Sequence, residues 1–129
     1  MSADFRLEIY QREDLEHLHF RRAGERKAFE SLAFMDGVTP EGFGQALEAS
    51  VKSGVRHVVL GIPEDIGPRA NLGRPGSDSA WESFLGAFIN SHSNEFLDYS
   101  SVLLLGKVNV SDLMAQSAKL DPLKPSDLT

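Results

Sequence analysis

The sequence predicts an α/β fold that contains the first strand–helix–strand unit of a parallel sheet. Two apolar runs, at 55–62 and 101–106, indicate buried strands. Between them an apolar stripe at helical spacing, beginning after Ser79, indicates a helix. Two strands separated by a helix are typical of a parallel crossover, because a tight turn cannot join parallel strands.

Residues 1–37 are predicted to form an N-terminal arm with a short helix, and residues 38–129 the α/β domain. Leu15 and Leu18 lie at helical spacing, which is enough for a short amphipathic helix over 14–20. Farther along, a run of charged residues surrounds Gly24: Arg21, Arg22, Glu25, Arg26 and Lys27. Such runs usually face water, so we expect this part of the arm to be solvated.

The first long helix is predicted to begin at Thr39 and to end before Gly54. Thr39 is a favourable N-cap, Pro40 suits the first helical position, and Gly54 suits the left-handed residue that ends a helix. The strand at 55–62 follows at once. Its apolar residues do not alternate with polar ones, so we expect both of its faces to be covered.

Ser79 and Glu82 have the spacing of a capping box at the start of the next helix. Five apolar residues form a core-facing band on that helix: Trp81, Phe84, Leu85, Phe88 and Ile89. After the second strand, Ser111 or Asp112 is predicted to cap a weaker helix through residue 120. Ser126 resembles the N-cap of a further helix just before Thr129, and this pattern predicts a fragment boundary there.

The composition argues against several classes of protein. The net charge is −6, from 13 basic and 19 acidic residues. This balance argues against binding to nucleic acid or to an anionic membrane. The chain has no cysteine, which excludes disulfides and thiolate metal sites. No apolar run approaches the roughly 20 residues that cross a bilayer, and no apolar signal core follows Met1, so we expect a cytoplasmic location.

Common catalytic motifs do not occur. The four histidines show no metal-ligand spacing, and no serine lies in a G-x-S-x-G elbow. The glycines at 61–76 fit neither G-x-G-x-x-G nor the phosphate loop with G-K-[ST]. A small nucleotide-binding domain therefore has weak support.

The loop over 61–76 is the best candidate for a binding site, because ligands bind outside the carboxyl ends of parallel strands. Its prolines and glycines hold Arg69, Asn71 and Arg74 in a specified backbone. Two guanidinium groups there suit carboxylates or a phosphate. Alternatively, both arginines pair with nearby carboxylates and only hold the loop. Glu64 and Asp65 could also form a carboxylate pair for acid–base catalysis.

Three segments carry a resemblance to a known family: GIPEDIGPRANLGRPGSDSAWESF at 61–84, RRAGERK at 21–27 and VLLLGKVNV at 102–110. They resemble the arginase–agmatinase–formimidoylglutamase (ureohydrolase) family, most of all its formimidoylglutamase branch. The resemblance implies a three-layer α/β/α fold with an eight-stranded parallel sheet, of which this chain would supply the first two strands. It also implies hydrolysis of a C–N bond in a guanidino or formimino group by a hydroxide that bridges two Mn²⁺ ions.

The family's metal-binding motifs, G-G-x-H, D-x-H-x-D and S-x-D-x-D, have no counterpart here and are expected beyond Thr129. We therefore expect no catalytic residue and no bound Mn²⁺ in this chain, and no activity from it alone. Lys107 stands where the family has an acidic residue. Arg69, Asn71 and Arg74 match positions in the substrate-binding rim, where they would complement the two carboxylates of formimidoylglutamate.

The leading hypothesis is therefore the N-terminal portion of a ureohydrolase that acts on a small anionic amidine. A free-standing, non-catalytic α/β binding or assembly module is the alternative from another class. Two strands with few helices also leave sheet edges uncovered, so we expect the chain to self-associate.

Overall fold

A computed structural model describes residues 6–127 and contains a three-stranded mixed sheet. The strands are β1 (Arg6–Ile9), β2 (His57–Gly61) and β3 (Val102–Asn109), in the order β1-β3-β2. β2 and β3 are parallel, as predicted, and β1 lies antiparallel on the other side of β3. The α/β class is thereby confirmed, and β1 is an addition that the sequence pattern does not predict.

Within residues 6–127, five α-helices accompany the sheet: α1 (Ala28–Ser31), α2 (Phe43–Lys52), α3 (Ile66–Ala70), α4 (Ala80–Ile89) and α5 (Ser111–Ser117). Short 3-10 segments lie at Arg12–Leu18, Pro40–Gly42, Ser77–Ser79, Tyr99–Ser101 and Pro125–Asp127. α4 is the helix between the two parallel strands. No helix within residues 6–127 has the length and apolar character needed to span a bilayer.

The two faces of β3 belong to different core clusters. Leu104 is buried with residues of the N-terminal segment and of α4: Leu15, Phe29, Leu32, Leu85 and Ile89. Leu103 and Leu105 are buried on the opposite face with Met35 and Val55, against Phe43 and Leu47 of α2. This alternation follows from the period of two along a strand. Residues before position 37 therefore contribute directly to the core.

Arg12 connects the first 3-10 segment to the residues in and after α1, within the N-terminal part of the chain. Its Nη1 and Nη2 atoms donate hydrogen bonds to the carbonyl oxygens of Phe29 and Leu32, at 2.5 and 2.6 Å. The guanidinium also lies 4.6 Å from the ring centroid of Phe34. A guanidinium can make all these contacts at once because it is planar and carries several N–H donors.

The charged run near Gly24 is only partly solvated. Arg21, Arg22 and Arg26 are exposed, as predicted. Lys27 is buried instead, and its backbone forms a bridge with His92 just before α1. The predicted short helix over 14–20 is a 3-10 helix at Arg12–Leu18, with Leu15 buried.

The expectation that both faces of β2 are covered is wrong. Val58 and Leu60 are 51% and 42% exposed, and Ile62 directly after the strand is 59% exposed. An apolar run indicates the faces that a strand can bury, but it does not supply the element that covers them. β2 is the last strand of the sheet, so its outer side lacks a neighbouring strand among the described residues.

The predicted capping box at Ser79 is also wrong. The Ser79 hydroxyl donates to the carbonyl oxygen of Gly76 at 2.8 Å and makes no cap to α4. A 3-10 turn runs directly into this helix and supplies its first backbone contacts. The band on α4 is buried at Leu85 and Ile89, whereas Phe84 is 43% exposed.

Candidate functional site

The loop between β2 and α4 begins at the carboxyl end of β2 and contains the short helix α3, which the sequence analysis did not predict. The turn after α3 is tight. The N–H of Gly73 donates to the carbonyl oxygen of Pro68 at 2.7 Å, and Leu72 adopts a left-handed φ of 61°. Such a φ is uncommon outside glycine and persists where surrounding contacts specify the backbone.

Asp65 makes the contacts that connect the two ends of this loop. Its carboxylate is almost fully buried and accepts a hydrogen bond from the N–H of Gly76 at 3.1 Å. The other oxygen lies 3.1 Å from Nε of Arg69, one helical turn along the chain. The Nε–H does not point at this oxygen in hydrogen-bond geometry, so the contact is an ion pair. Asp65 therefore joins the start of the loop to its end.

Glu64 reinforces the same arrangement. Its side chain accepts a hydrogen bond from the N–H of Gly67 at 3.0 Å, and its carbonyl oxygen accepts one from the hydroxyl of Ser77 at 2.8 Å. Glu64 and Asp65 thus each have their own partners within the loop. This arrangement favours a structural role for the two carboxylates over shared acid–base catalysis.

The three predicted rim residues lie in different surroundings. Arg69 is half-buried and lines a cleft of about 160 Å³ against the C-terminal segment, opposite Ser117, Asp121 and Asp127. Asn71 and Arg74 are exposed and line neither this cleft nor the adjoining one of about 310 Å³. Within the described chain, the Arg74 side chain has no hydrogen bond or ion pair. Asp65 therefore holds Arg69 in place, whereas the guanidinium of Arg74 is exposed and can contact a ligand.

A separate cleft, of about 250 Å³, lies at the carboxyl ends of β2 and β3 between Pro63, Asp78 and Lys107. Lys107 lies opposite Glu8 of β1, with Nζ 3.8 Å from a carboxylate oxygen. The other oxygen of Glu8 accepts a hydrogen bond from Asn109 at 2.8 Å. Sequence reasoning missed this network because Glu8 lies on the strand that it did not predict.

In the part of the chain that the structure describes, histidines and carboxylates do not form a metal centre. Among residues 6–127, no group of three or more His, Asp or Glu side chains converges in a way that could hold a metal ion. His19 packs on the ring of Phe29, 4.6 Å between centroids, and His92 lies 3.9 Å from a carboxylate oxygen of Glu25. The described residues therefore do not fit a pair of Mn²⁺ ions.

Comparisons with protein-family models, with curated proteins and with solved structures find no match to this chain. A function must therefore be inferred from the loop after β2 and from the residues that it exposes.

Proposed function

We propose that this chain is the N-terminal portion of a Mn²⁺-dependent ureohydrolase that cleaves a C–N bond of a formimino or guanidino substrate, with formimidoylglutamate favoured. In this proposal the loop after β2 forms part of the rim that binds the substrate's carboxylates. The observation that carries it is the contrast between Arg69, which is held by Asp65, and Arg74, which is exposed without a partner in the described chain. In this proposal the chain contributes part of the substrate-binding rim, and among its described residues no group of three His, Asp or Glu side chains could hold a metal ion.

The architecture around the loop supports this role. β2 and β3 form a parallel pair joined through α4, as the resemblance implies for two neighbouring strands, whereas the antiparallel β1 is not part of that expectation. The loop follows the carboxyl end of β2, the edge at which parallel sheets bind ligands. Asp65 and Glu64 fix its backbone, so Arg74 projects from a preorganised segment. Preorganised groups bind with a smaller loss of conformational entropy.

Arg69 and Arg74 would have different roles in binding the substrate. Arg69 uses Nε to contact Asp65, which leaves its terminal nitrogens for a ligand in the adjoining cleft. Arg74 can offer its whole guanidinium to a carboxylate. Paired N–H donors match the two oxygens of a carboxylate, and such charge-assisted hydrogen bonds are among the strongest in proteins. A dicarboxylate substrate would use both arginines, whereas arginine and agmatine would not.

The direct test is to express the gene together with any coding sequence beyond Thr129 and to measure Mn²⁺-dependent hydrolysis. We expect release of glutamate from formimidoylglutamate, because water cleaves the bond between the formimino carbon and the glutamate nitrogen. Arg74→Ala should raise KM for this substrate by about 10- to 100-fold, the loss of roughly 1.5–3 kcal/mol from a charged hydrogen bond. Arg22→Ala, an exposed arginine elsewhere, is the matched control.

Two outcomes would contradict the proposal. One is the absence of Mn²⁺-dependent hydrolysis of formimidoylglutamate, arginine and agmatine alike. The other is an equal rise in KM for all three substrates in Arg74→Ala, since only formimidoylglutamate carries the second carboxylate that the rim is proposed to bind.

A non-catalytic assembly module is the second candidate, and the open edge of β2 favours it. Such a module would fold and self-associate without Mn²⁺ and would bind none of the three substrates. Calorimetric titration of the chain with formimidoylglutamate and with glutamate separates the candidates, because only the rim proposal expects heat that is lost in Arg74→Ala.

A further inference from the structure

The two edges of the sheet differ in how they are protected. β1, at one edge, has the sequence RLEI and presents alternating charges. β2, at the other edge, has the sequence HVVLG and contains no lysine, arginine or carboxylate. Edge strands usually carry charges or prolines that prevent them from pairing with another chain. β2 lacks this protection from His57 to Gly61, and Pro63, which has no N–H to donate, lies beyond the strand. The free edge of β2 itself is therefore competent to pair.

Three apolar side chains lie along one face of β2 and its extension. Val58 is opposite Leu103 of β3, whose side chain packs on the α2 side of the sheet, but Val58 itself is not part of that cluster. Leu60 and Ile62 follow at the period of two along β2, although the register with β3 shifts between Val59 and Leu60, so that Leu60 lies opposite Gly106. All three side chains are at least 42% exposed. Ile62 precedes Pro63, which favours an extended backbone at this position. The apolar row therefore continues past the end of the strand.

Charges of opposite sign flank this row. Arg56 precedes β2, and Glu64 follows it, four positions on either side of Leu60. Arg56 uses only Nη1 for its contacts to the carbonyl oxygens of Val51 and Val55. Glu64 uses one carboxylate oxygen for Gly67. Both side chains thus retain groups for a further ion pair.

We infer that β2 pairs antiparallel with β2 of a second copy of this chain, about a two-fold axis at Leu60. In this register Leu60 faces Leu60, Val58 faces Ile62, and Arg56 faces Glu64. The two-fold axis makes the last two contacts occur twice. The sequence around Leu60 is thus complementary to itself in both apolar character and charge, and this self-complementarity selects a second copy as the occupant.

Neighbouring registers lose this complementarity. An axis at Val59 places Arg56 opposite Ile62 and Glu64 opposite Gly54. An axis at Gly61 places Val58 opposite Glu64. Each shift leaves a charge against an apolar or absent side chain, and neither brings Arg56 opposite Glu64 as the Leu60 register does. The inference does not rest on the proposed hydrolase activity.

Single cysteines test the register directly, because the natural chain has none. Leu60→Cys should form an intermolecular disulfide under mild oxidation, since directly opposed residues have Cα atoms about 4.5–5.5 Å apart, within disulfide range. Val58→Cys alone and Ile62→Cys alone should not cross-link, because each lies roughly 13 Å or more along the strand from its own copy. An equimolar mixture of these two variants should cross-link as a heterodimer.

Sedimentation equilibrium supplies the second measurement. The strand is short, so we expect a weak dimer, detected at protein concentrations up to roughly 1 mM. Leu60→Lys should abolish it while leaving the circular dichroism spectrum unchanged. Arg56→Glu and Glu64→Arg should each weaken dimerisation about tenfold, and the double variant should restore it, since the pair is only reversed.

Three results would overturn the inference. The first is a natural chain that stays monomeric at the highest concentration. The second is equal cross-linking by Val58→Cys alone and by the mixture, which would place the interface elsewhere. The third is a monomer with slow amide exchange along the outer side of β2, which would show that another segment covers this edge.

Discussion

The indole N–H of Trp81 donates a 2.8 Å hydrogen bond to the phenol oxygen of Tyr10. Their rings stack with centroids 6.5 Å apart, although the residues are 71 positions apart in the chain. The Trp81 ring also lies against Gly61, where an added Cβ would collide with it. One side chain at the start of α4 thus positions the end of β2 and the residue that follows β1.

Tyr10→Phe should destabilise the fold by about 1 kcal/mol, because it leaves the partly buried N–H of Trp81 without its acceptor. Urea unfolding followed by the fluorescence of Trp81, the single tryptophan, measures this change. Tyr99→Phe is the matched control, since no hydrogen bond of the Tyr99 hydroxyl is found within the described chain. Equal losses in the two variants would refute a specific role for the Trp81–Tyr10 contact.

Burial raises the pKa of Tyr10 above its ordinary value of 10.0, and the negative charges of Glu8, Glu82 and Asp14 add to the rise. The hydrogen bond from Trp81 opposes it. The folded state then holds the phenol proton more tightly than the unfolded state. The raised pKa of Tyr10 therefore contributes to the free energy of unfolding below pH 10.0, and this contribution is lost as the pH rises through the folded pKa. Alkaline titration of tyrosinate absorbance in the natural chain and in Tyr10→Phe isolates Tyr10. A Tyr10 midpoint at or below 10.0 would contradict the expectation.

Gly106→Ala should disrupt the pairing of β1 with β3. Gly106 has a φ of 152°, and an added Cβ would collide with the carbonyl oxygen of Glu8. Neither the strand backbone nor β1 can move away without breaking the ladder, so we expect a loss of several kcal/mol or failure to fold. Gly44→Ala in α2 is the contrasting variant. Its Cβ meets no atom within 4 Å, and we expect a gain of up to about 1 kcal/mol because alanine favours the helix. Thermal unfolding of both variants tests the contrast.

Local pattern predicted the central unit of the fold because β2, α4 and β3 combine strong apolar periodicity with clear boundaries. β1 could not be predicted in this way. Its four residues include Arg6 and Glu8, and its pairing partners lie about a hundred positions away, at residues 106–109 of β3. α3 was missed because Gly67 and Pro68 argue against a helix, whereas the contacts of Glu64 and Asp65 stabilise one there.

The candidate site, like the fold, was predicted only in part. The ion pair of Arg69 with Asp65 was one of two open alternatives, and its i, i+4 spacing became informative only once α3 was known. That Arg74 stays exposed depends on where the loop folds, which no local pattern specifies.

Arg12→Ala should destabilise the fold by roughly 2–4 kcal/mol, because two charge-assisted hydrogen bonds and the contact with Phe34 are lost together. Arg12→Lys keeps the charge but cannot reach both carbonyl oxygens with a planar fork, so we expect it to recover less than half of the loss. Arg22→Ala should change the free energy of unfolding by less than about 0.5 kcal/mol. If Arg12→Lys were as stable as the natural chain, the positive charge alone, without the planar guanidinium, would account for the stabilisation.

Arg69→Ala and Arg74→Ala should separate loop stability from ligand binding. Asp65 remains buried when Arg69 is removed and loses the cation that compensates its charge, so the loop should loosen by about 1 kcal/mol. The amide of Gly76, which donates to Asp65, reports this directly through faster hydrogen exchange. In Arg74→Ala the same amide should exchange at the natural rate, because Arg74 makes no contact with this network.

If the proposed rim binds carboxylates, Arg74→Ala should nevertheless weaken the binding of formimidoylglutamate. Faster exchange at Gly76 in Arg74→Ala would instead mean that both arginines hold the loop, and the case for a binding role of Arg74 would be lost.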